Sequence, residues 1–251
     1  MRFLGIIPAR YASTRFPGKP LAILGGKPMI QRVYEQVQKS LEHVCVATDD
    51  ERIQAAVKAF GGNVVMTSDR HTSGTDRCYE AYTQASAPYD VVINIQGDEP
   101  FIQPEQIGIL KSCFEDERTQ IATLVKPFSA EADFEKELFN PNTPKVVLNK
   151  NSEALYFSRS IVPYIRGDKH TEWLKKHTFY KHIGLYAYRT DILKEITQLP
   201  PSSLEQAESL EQLRWLENGY RIKVGITHYE TIGIDTPEDL EKALKFLEEK
   251  K

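Results

Sequence analysis

The sequence predicts an α/β fold built on a mostly parallel sheet with helices on both faces. Three observations point to it. Apolar runs of strand length alternate with helix-like segments through the first half of the chain. The runs are apolar throughout, as in strands buried on both faces. Loops rich in glycine, proline and charge follow directly on the carboxyl ends of these runs, where open α/β sheets gather their binding groups.

Phe3-Leu4-Gly5-Ile6-Ile7 is the first strand. Val44-Cys45-Val46-Ala47 is the second, and Thr48-Asp49-Asp50 after it is a helix start. Ile53, Val57 and Phe60 recur at helical spacing until Gly61-Gly62 ends the helix. Asn63-Val64-Val65-Met66 reads as the next strand, and Val91-Val92-Ile93-Asn94-Ile95 is the clearest buried one. Ile107, Leu110 and Phe114 form the apolar face of the following helix, and Ile121-Ala122-Thr123-Leu124-Val125 resumes the strand pattern. The second half is less regular. Lys145-Val146-Val147-Leu148 and Ala154-Leu155-Tyr156-Phe157-Ser158 read as a hairpin, and residues 177–188 hold an aromatic-rich strand with Gly184. Residues 209–218 are helical through Leu210, Leu213, Trp215 and Leu216, closed by Gly219. Thr236-Pro237-Glu238-Asp239 is a capped helix start. Residues 163–177 are expected to form a mobile or protruding loop.

Composition narrows the possibilities. The 251 residues suit one large domain or a domain with an excursion. A net charge of -3 gives no basic field for nucleic acid. The longest apolar runs are strand length, so no membrane span is expected. The opening apolar run is stopped by Pro8 and Arg10, too early for a secretion signal. Cys45, Cys78 and Cys113 lack metal-site spacing and are expected to be reduced and structural, as in a cytoplasmic protein.

Four corners carry the chemistry. Arg10, Arg15 and Lys19 stand in a proline-stiffened loop beyond the first strand, and three cations there suit a polyanion such as a nucleoside triphosphate. Gln96-Gly97-Asp98-Glu99-Pro100 follows the strongest strand. Acidic groups beside a phosphate site suit Mg²⁺, although the triplet alone also fits a turn with an Asp cap. Gly233-Ile234-Asp235-Thr236-Pro237 is a second acidic corner, where Asp235 fits either a helix cap or a second metal carboxylate. His71-Thr72-Ser73-Gly74-Thr75-Asp76-Arg77 suits reading a base edge or a phosphate at a helix start, and a plain N-cap equally well. In the irregular half, Arg159, Lys181, His182, Tyr186 and Glu211 form a polar set that suits a sugar pocket. A hydrogen-bonded structural histidine and sheet-packed tyrosines are the plainer alternatives.

Taken together these stretches resemble the 3-deoxy-manno-octulosonate cytidylyltransferase family, the CMP-Kdo synthetases. The resemblance rests on Ile7-Pro8-Ala9-Arg10-Tyr11-Ala12-Ser13-Thr14-Arg15, Pro17-Gly18-Lys19-Pro20, His71 with Ser73-Gly74-Thr75, and Gln96-Gly97-Asp98-Glu99-Pro100. It continues through Lys145-Val146-Val147-Leu148, Tyr156-Phe157-Ser158-Arg159, His182 with Gly184, Leu210-Glu211-Gln212-Leu213-Arg214, and Asp235-Thr236-Pro237-Glu238-Asp239-Leu240. Phe16 stands where the family commonly has Leu, and Asp76 where it often has Glu.

The resemblance implies a Rossmann-like nucleotide-diphospho-sugar transferase fold in a single domain, 1–251. Residues 1–127 and 210–251 would form the nucleotide-binding sheet, and 128–209 a smaller sugar-binding and dimerisation portion. It implies that CTP activates Kdo, giving CMP-Kdo and pyrophosphate for lipopolysaccharide biosynthesis, with Mg²⁺ as cofactor and a homodimer as the assembly. Pro8, Ala9, Arg10, Arg15, Lys19, Ser73, Gly74, Arg77 and Gln96 would bind the nucleotide. Gln96, Arg159, His182, Tyr186 and Glu211 would bind the sugar. Asp98 and Asp235 would hold the metal and, with Lys19 and Arg10, do the catalysis. Related acidic keto-sugars, 8-amino-Kdo or sialic acid, are the alternative substrates. A catalytically silent nucleotide-binding module is disfavoured by the pairing of Asp98 with Asp235. A dinucleotide oxidoreductase is disfavoured because the first loop lacks G-x-G-x-x-G.

Overall fold

The computed structural model describes residues 1–13, 15–129, 134–230 and 233–249. Thr14 of the first motif lies outside the described residues. In chain order the elements begin with β1 (Phe3–Ala9), the two-residue strands β2 (Ile23–Leu24) and β3 (Lys27–Pro28), α1 (Met29–Gln38), β4 (Val44–Thr48), α2 (Glu51–Ala59), β5 (Val64–Met66) and α3 (Gly74–Thr83). They continue with β6 (Val91–Asn94), α4 (Pro104–Ser112), β7 (Ile121–Pro127), β8 (Lys145–Leu148), β9 (Ala154–Ser158), α5 (Trp173–Lys176) and β10 (Tyr180–Arg189). The last are α6 (Thr190–Ile196), α7 (Ser203–Glu208), α8 (Gln212–Glu217), β11 (Ile222–Ile226) and α9 (Pro237–Glu249). They fall into two compact units. Unit one is Met1–Gly108, Ala187–Thr197 and Thr231–Lys251, and unit two is Ile109–Tyr186 and Gln198–Glu230.

In unit one β1 is flanked by β6 and β4, and β4 by β5, with all three pairings parallel. Ile6, Ile7, Val46, Val92 and Ile93 are wholly buried, which explains why these runs are apolar at every position rather than at alternate ones. The register sets Ile6 against Asn94, so the chain leaves β1 and β6 side by side at their carboxyl ends. Asp50 caps α2 by accepting from the Arg52 amide at 2.9 Å. A separate apolar cluster of Leu24, Met29, Phe101, Ile234 and Ala243 joins the β2–β3 hairpin to α9, with Phe16 and Leu240 packed against it. That cluster brings the end of the chain back to the first loop. Phe16, the departure from the family pattern, is there a packing residue.

In unit two β7 and β11 pair in parallel, while β8 pairs antiparallel with both β9 and β10. The sheet is mixed and mostly parallel, as expected. The β8–β9 hairpin forms where the sequence places it, with an irregularity between Val147 and Leu148. Residues 163–177, expected to protrude, are partly folded: Trp173 is 2% exposed and packs with Phe128, Leu138 and Phe179. Tyr164 in the same stretch is exposed. Trp173, with Ile165 and Leu174 packed against the same cluster, is what turns the loop inward.

Candidate functional site

A pocket in unit one is lined by the four chemistry-bearing corners. Pro8, Ala9, Arg10, Arg15 and Lys19 come from the first loop, His71, Ser73, Gly74 and Arg77 from the start of α3, and Gln96, Gly97, Asp98 and Asp235 from the acidic corners. The first loop is stiff for stated reasons. Gly18, at φ 71°, donates its amide to the Tyr11 carbonyl at 2.9 Å, in a left-handed conformation that suits glycine. Tyr11 in turn lies under the Arg52 guanidinium, 3.3 Å from its ring centroid. A Cβ on Gly97 would lie 3.0 Å from the Pro8 carbonyl oxygen, so glycine allows the two strand-end loops to touch.

Lys19 is the centre of the arrangement. Its ammonium donates to Asp98 Oδ2 at 2.6 Å and to Asp235 Oδ1 at 3.1 Å. Arg15 Nη1 reaches the other oxygen of Asp235 at 3.1 Å. Of the two roles open to Asp235, the cap belongs elsewhere. The Asp239 amide donates to Thr236 Oγ1 and the Thr236 amide to Asp239 Oδ2, both at 3.2 Å, a reciprocal cap that leaves the Asp235 carboxylate to the pocket. Asp98 and Glu99 diverge. The Glu99 carboxyl is pushed up to about 8, by desolvation first and by Asp98 second.

At α3 the N-cap is formed, and the capping residues also face the pocket. Ser73 Oγ accepts from the Asp76 amide at 3.1 Å as the N-cap, and Ser73 and Gly74 also line the pocket. Arg77 is 4% exposed and paired with Asp49 at 2.8 Å and Thr67 at 2.6 Å, so its charge is already met within the protein. Glu80 accepts from the Ser68 amide at 3.0 Å and pairs with His71 Nε2. Asp49, Thr67 and Glu80 were not singled out by the sequence, yet they tie the loop before α3 to the helix. Only the i, i+3 spacing of Arg77 and Glu80 on one helix face hints at this.

The sugar set lies in unit two, apart from Gln96, which belongs to unit one. His182 and Tyr186 meet at 5.3 Å between ring centroids, and Tyr186 packs edge-on against Trp215 at 5.2 Å. Desolvation pushes the His182 imidazole down to about 3, and its Nε2 lies 3.2 Å from the Thr123 hydroxyl. The ring is therefore neutral at working pH. Burial raises the Tyr186 phenol well above its ordinary range. Arg159 bonds a different group: its guanidinium donates to the carbonyls of Glu208, Pro141 and Ser209 at 2.6, 2.9 and 3.2 Å. Lys145, expected only as part of a strand, is wholly buried and donates to the carbonyls of Asn140, Thr143 and Arg159. Burial lowers its ammonium to about 8. Glu211 lies 3.9 Å from Arg214, and Lys181 pairs with Glu230.

A cytidylyltransferase family model matches residues 4–232. A 3-deoxy-manno-octulosonate cytidylyltransferase of Parabacteroides distasonis is 77% identical over 98% of both chains. The chain belongs to the 3-deoxy-manno-octulosonate cytidylyltransferase family. The family member of Phocaeicola vulgatus is 70% identical over 100% of this chain and 99% of its own. A solved CMP:2-keto-3-deoxy-manno-octonic acid synthetase, complexed with CTP, superposes with a TM-score of 0.91 at 44% identity over the whole of both chains. A cytidylyltransferase from Leptospira borgpetersenii shares the fold at TM-score 0.64 and 16% identity, covering 99% of this chain and 87% of that one. Membership in the cytidylyltransferase family makes the chain a nucleotidyltransferase, and among its described residues no helix is long and apolar enough to cross a membrane.

Proposed function

We propose that this protein activates Kdo with CTP, releasing pyrophosphate and giving CMP-Kdo for lipopolysaccharide biosynthesis. The observation that carries the reading is the full-length match to 3-deoxy-manno-octulosonate cytidylyltransferases at up to 77% identity. The meeting of Lys19 with Asp98 and Asp235 supports it chemically.

In the reaction the anomeric oxygen of Kdo bonds to the α-phosphorus of CTP, and the bond from that phosphorus to the β-bridging oxygen breaks. Both reactants are anions, so charge must be offset before they approach. Arg10 and Arg15, exposed in the pocket, meet the triphosphate, and Lys19 exchanges a carboxylate for a phosphate oxygen as the nucleotide enters. Ser73 and Gly74, at the start of α3, face the nucleoside. Arg159 meets the sugar carboxylate, and neutral His182 with Tyr186 and Glu211 meets its hydroxyl groups. No covalent nucleophile is required, so the residues work by positioning and electrostatics.

Mg²⁺ is part of this reading. The donor set fits it: two carboxylates converge on one cation, the Lys19 ammonium, beside a triphosphate site, and two carboxylates with phosphate and water are what Mg²⁺ takes. Asp98 and Asp235 would hold it. Bound there, it supplies Lewis-acid polarisation of the α-phosphate and a lowered pKa for the attacking hydroxyl. We further place the protein in the cytoplasm as a homodimer built through unit two. Free, buried cysteines suit a reducing compartment, and β9, which among the described residues pairs with β8 alone, carries exposed Leu155.

The test is a pyrophosphate-release screen of CTP, UTP and ATP against Kdo, 8-amino-Kdo and sialic acid. Release with CTP and Kdo is expected. Release with sialic acid in its place moves the assignment to another acidic keto-sugar, and no release with any pair rejects an enzyme of this class.

A further inference from the structure

Asn94 is the last residue of β6, 4% exposed, and its Oδ1 has no hydrogen-bond partner among the described residues. Among the described residues the buried amides of Gln106 and Gln212 also have an unpartnered Nε2, a donor, whereas Asn94 is the side-chain amide whose acceptor is left unpaired. Asn63 donates to the Tyr34 hydroxyl and the Val44 carbonyl, and Asn149 Oδ1 accepts from the amides of Asn151 and Glu153. A buried acceptor left without a donor destabilises the free protein, and a ligand that brings a donor to it offsets that cost.

Its position shows where such a donor would come from. A methyl group built on Gly74 would lie 3.4 Å from Pro8 Cγ, 3.7 Å from Asn94 Nδ2 and 3.9 Å from Asn94 Oδ1. Pro8 and Gly74 both line the pocket. The buried amide therefore lies directly behind the wall that Pro8 and Gly74 form, with no side chain at position 74 to cover it from that side. The phosphate-handling groups, Arg15 and Lys19, are gathered on Asp98 and Asp235, whereas Asn94 stands beside the Ser73–Gly74 helix start.

We propose that Asn94 is a nucleoside-binding residue whose Oδ1 accepts a hydrogen bond from the nucleoside half of the bound nucleotide. This rests on the CTP reading above. Two parts of the nucleoside carry suitable donors, the exocyclic amine of cytosine and the ribose hydroxyl groups.

The test uses the full chain and isothermal titration with CMP, UMP, deoxy-CMP and inorganic pyrophosphate. Asn94→Leu keeps the side chain's shape and removes its polar atoms. The variant should unfold at the same temperature as wild type or higher, since the unpaired acceptor is gone. CMP affinity should fall at least ~10-fold, as for the loss of one good hydrogen bond in a dry site, while pyrophosphate affinity stays within about twofold. The nucleotide on which wild type and variant converge identifies the donor. UMP points to the amine, deoxy-CMP to the 2′-hydroxyl, and a loss common to all three to the 3′-hydroxyl. CMP affinity unchanged in folded Asn94→Leu overturns the proposal. So does a parallel fall in CMP and pyrophosphate affinity with a lowered unfolding temperature, which marks a structural residue. Should Asn94→Leu not fold, Gly74→Ala lays a methyl over the amide at ordinary contact distance. It must then weaken CMP and spare pyrophosphate, and unaltered CMP binding there is equally fatal. A wild-type chain that binds pyrophosphate but not CMP ends the CTP reading itself and this proposal with it, a result separate from any effect of the variants.

Discussion

Asp98 and Asp235 share the ammonium of Lys19, which lies 79 positions before the first and 216 before the second. Three separate pieces of packing bring this about. The parallel pairing of β1 with β6 sets the first loop beside Asp98. The cluster of Leu24, Met29, Phe101, Ile234 and Ala243 holds the last helix against that loop. The Ile234 amide then donates to the Asp98 carbonyl at 2.9 Å, fixing the two acidic corners to each other directly. The result is a site in which Lys19 and Arg15 are met by two carboxylates, and under the function proposed above a triphosphate would replace one of these anions at Lys19.

Asp98→Asn keeps the size of the side chain and removes its charge. We expect kcat to fall by ~100-fold or more, the scale for losing a group that stabilises transition-state charge, with only a few-fold change in the KM for CTP. Steady-state pyrophosphate release at saturating Mg²⁺ measures both. Near-normal turnover there removes Asp98 from the catalytic group.

Gly97→Ala tests the contact between the two strand ends. The added Cβ would meet the Pro8 carbonyl oxygen at 3.0 Å, with Ile7 Cγ2 at 3.6 Å and Ala9 Cβ at 3.9 Å behind it. The closest obstacle is backbone, so the loops must move apart rather than a side chain rotate. Overpacking of this kind costs about 1–3 kcal/mol. A matching drop in urea stability and a CTP KM raised ~10-fold are expected, the latter for about 1.4 kcal/mol of lost binding. An unchanged KM means that the spacing of the loops does not matter for the nucleotide.

His182 gives a pH signature. Its imidazole is held near 3 in the folded protein against 6.5 when free, so below pH 6.5 the unfolded chain binds a proton that the folded chain does not. Stability from this residue is complete above pH 6.5 and is lost as pH falls toward 3. Between pH 7 and 5 the loss is about 2 kcal/mol, at about 1.4 kcal/mol for each pH step below the free value. His182→Gln lacks the proton site. Urea unfolding of the two proteins should therefore give a stability difference that narrows by that amount as pH is lowered. Parallel pH profiles would mean that the ring is hydrated in the folded state.

How far the sequence carries this reading depends on what each residue answers to. Strands such as Val91–Asn94 were legible because burial on both faces demands apolar residues at every position. Asp235 was ambiguous because a cap and a metal ligand ask for the same side chain, and only the Thr236–Asp239 bonds show that the cap is made without it. Lys145 read as a strand residue because its partners are backbone carbonyls, which leave no trace in side-chain spacing. The ion pair of Arg77 was not legible for a similar reason: its partner Asp49 is 28 positions away. The helix near residue 209 starts later than its apolar pattern suggests because Ser209, at φ 51°, turns the chain between α7 and α8.

Arg159 is held before any substrate arrives. Its Nε, Nη1 and Nη2 each donate to a backbone carbonyl, its own amide donates to Glu208 Oε2 at 2.8 Å, and its carbonyl accepts from Lys145 at 2.7 Å. Three of the five guanidinium N–H groups are thereby used, and the remaining two face the task of meeting a carboxylate. Lysine has one nitrogen and cannot satisfy three separated carbonyls while reaching a fourth partner. Arg159→Lys should therefore raise the KM for Kdo at least ~10-fold, about 1.4 kcal/mol, and leave the KM for CTP within about twofold. Unfolding temperatures of the two proteins separate the alternatives. A lowered temperature with an unchanged Kdo KM makes Arg159 a structural tie between Pro141 and the 208–209 turn, and a loss confined to CTP puts it in the other substrate's pocket.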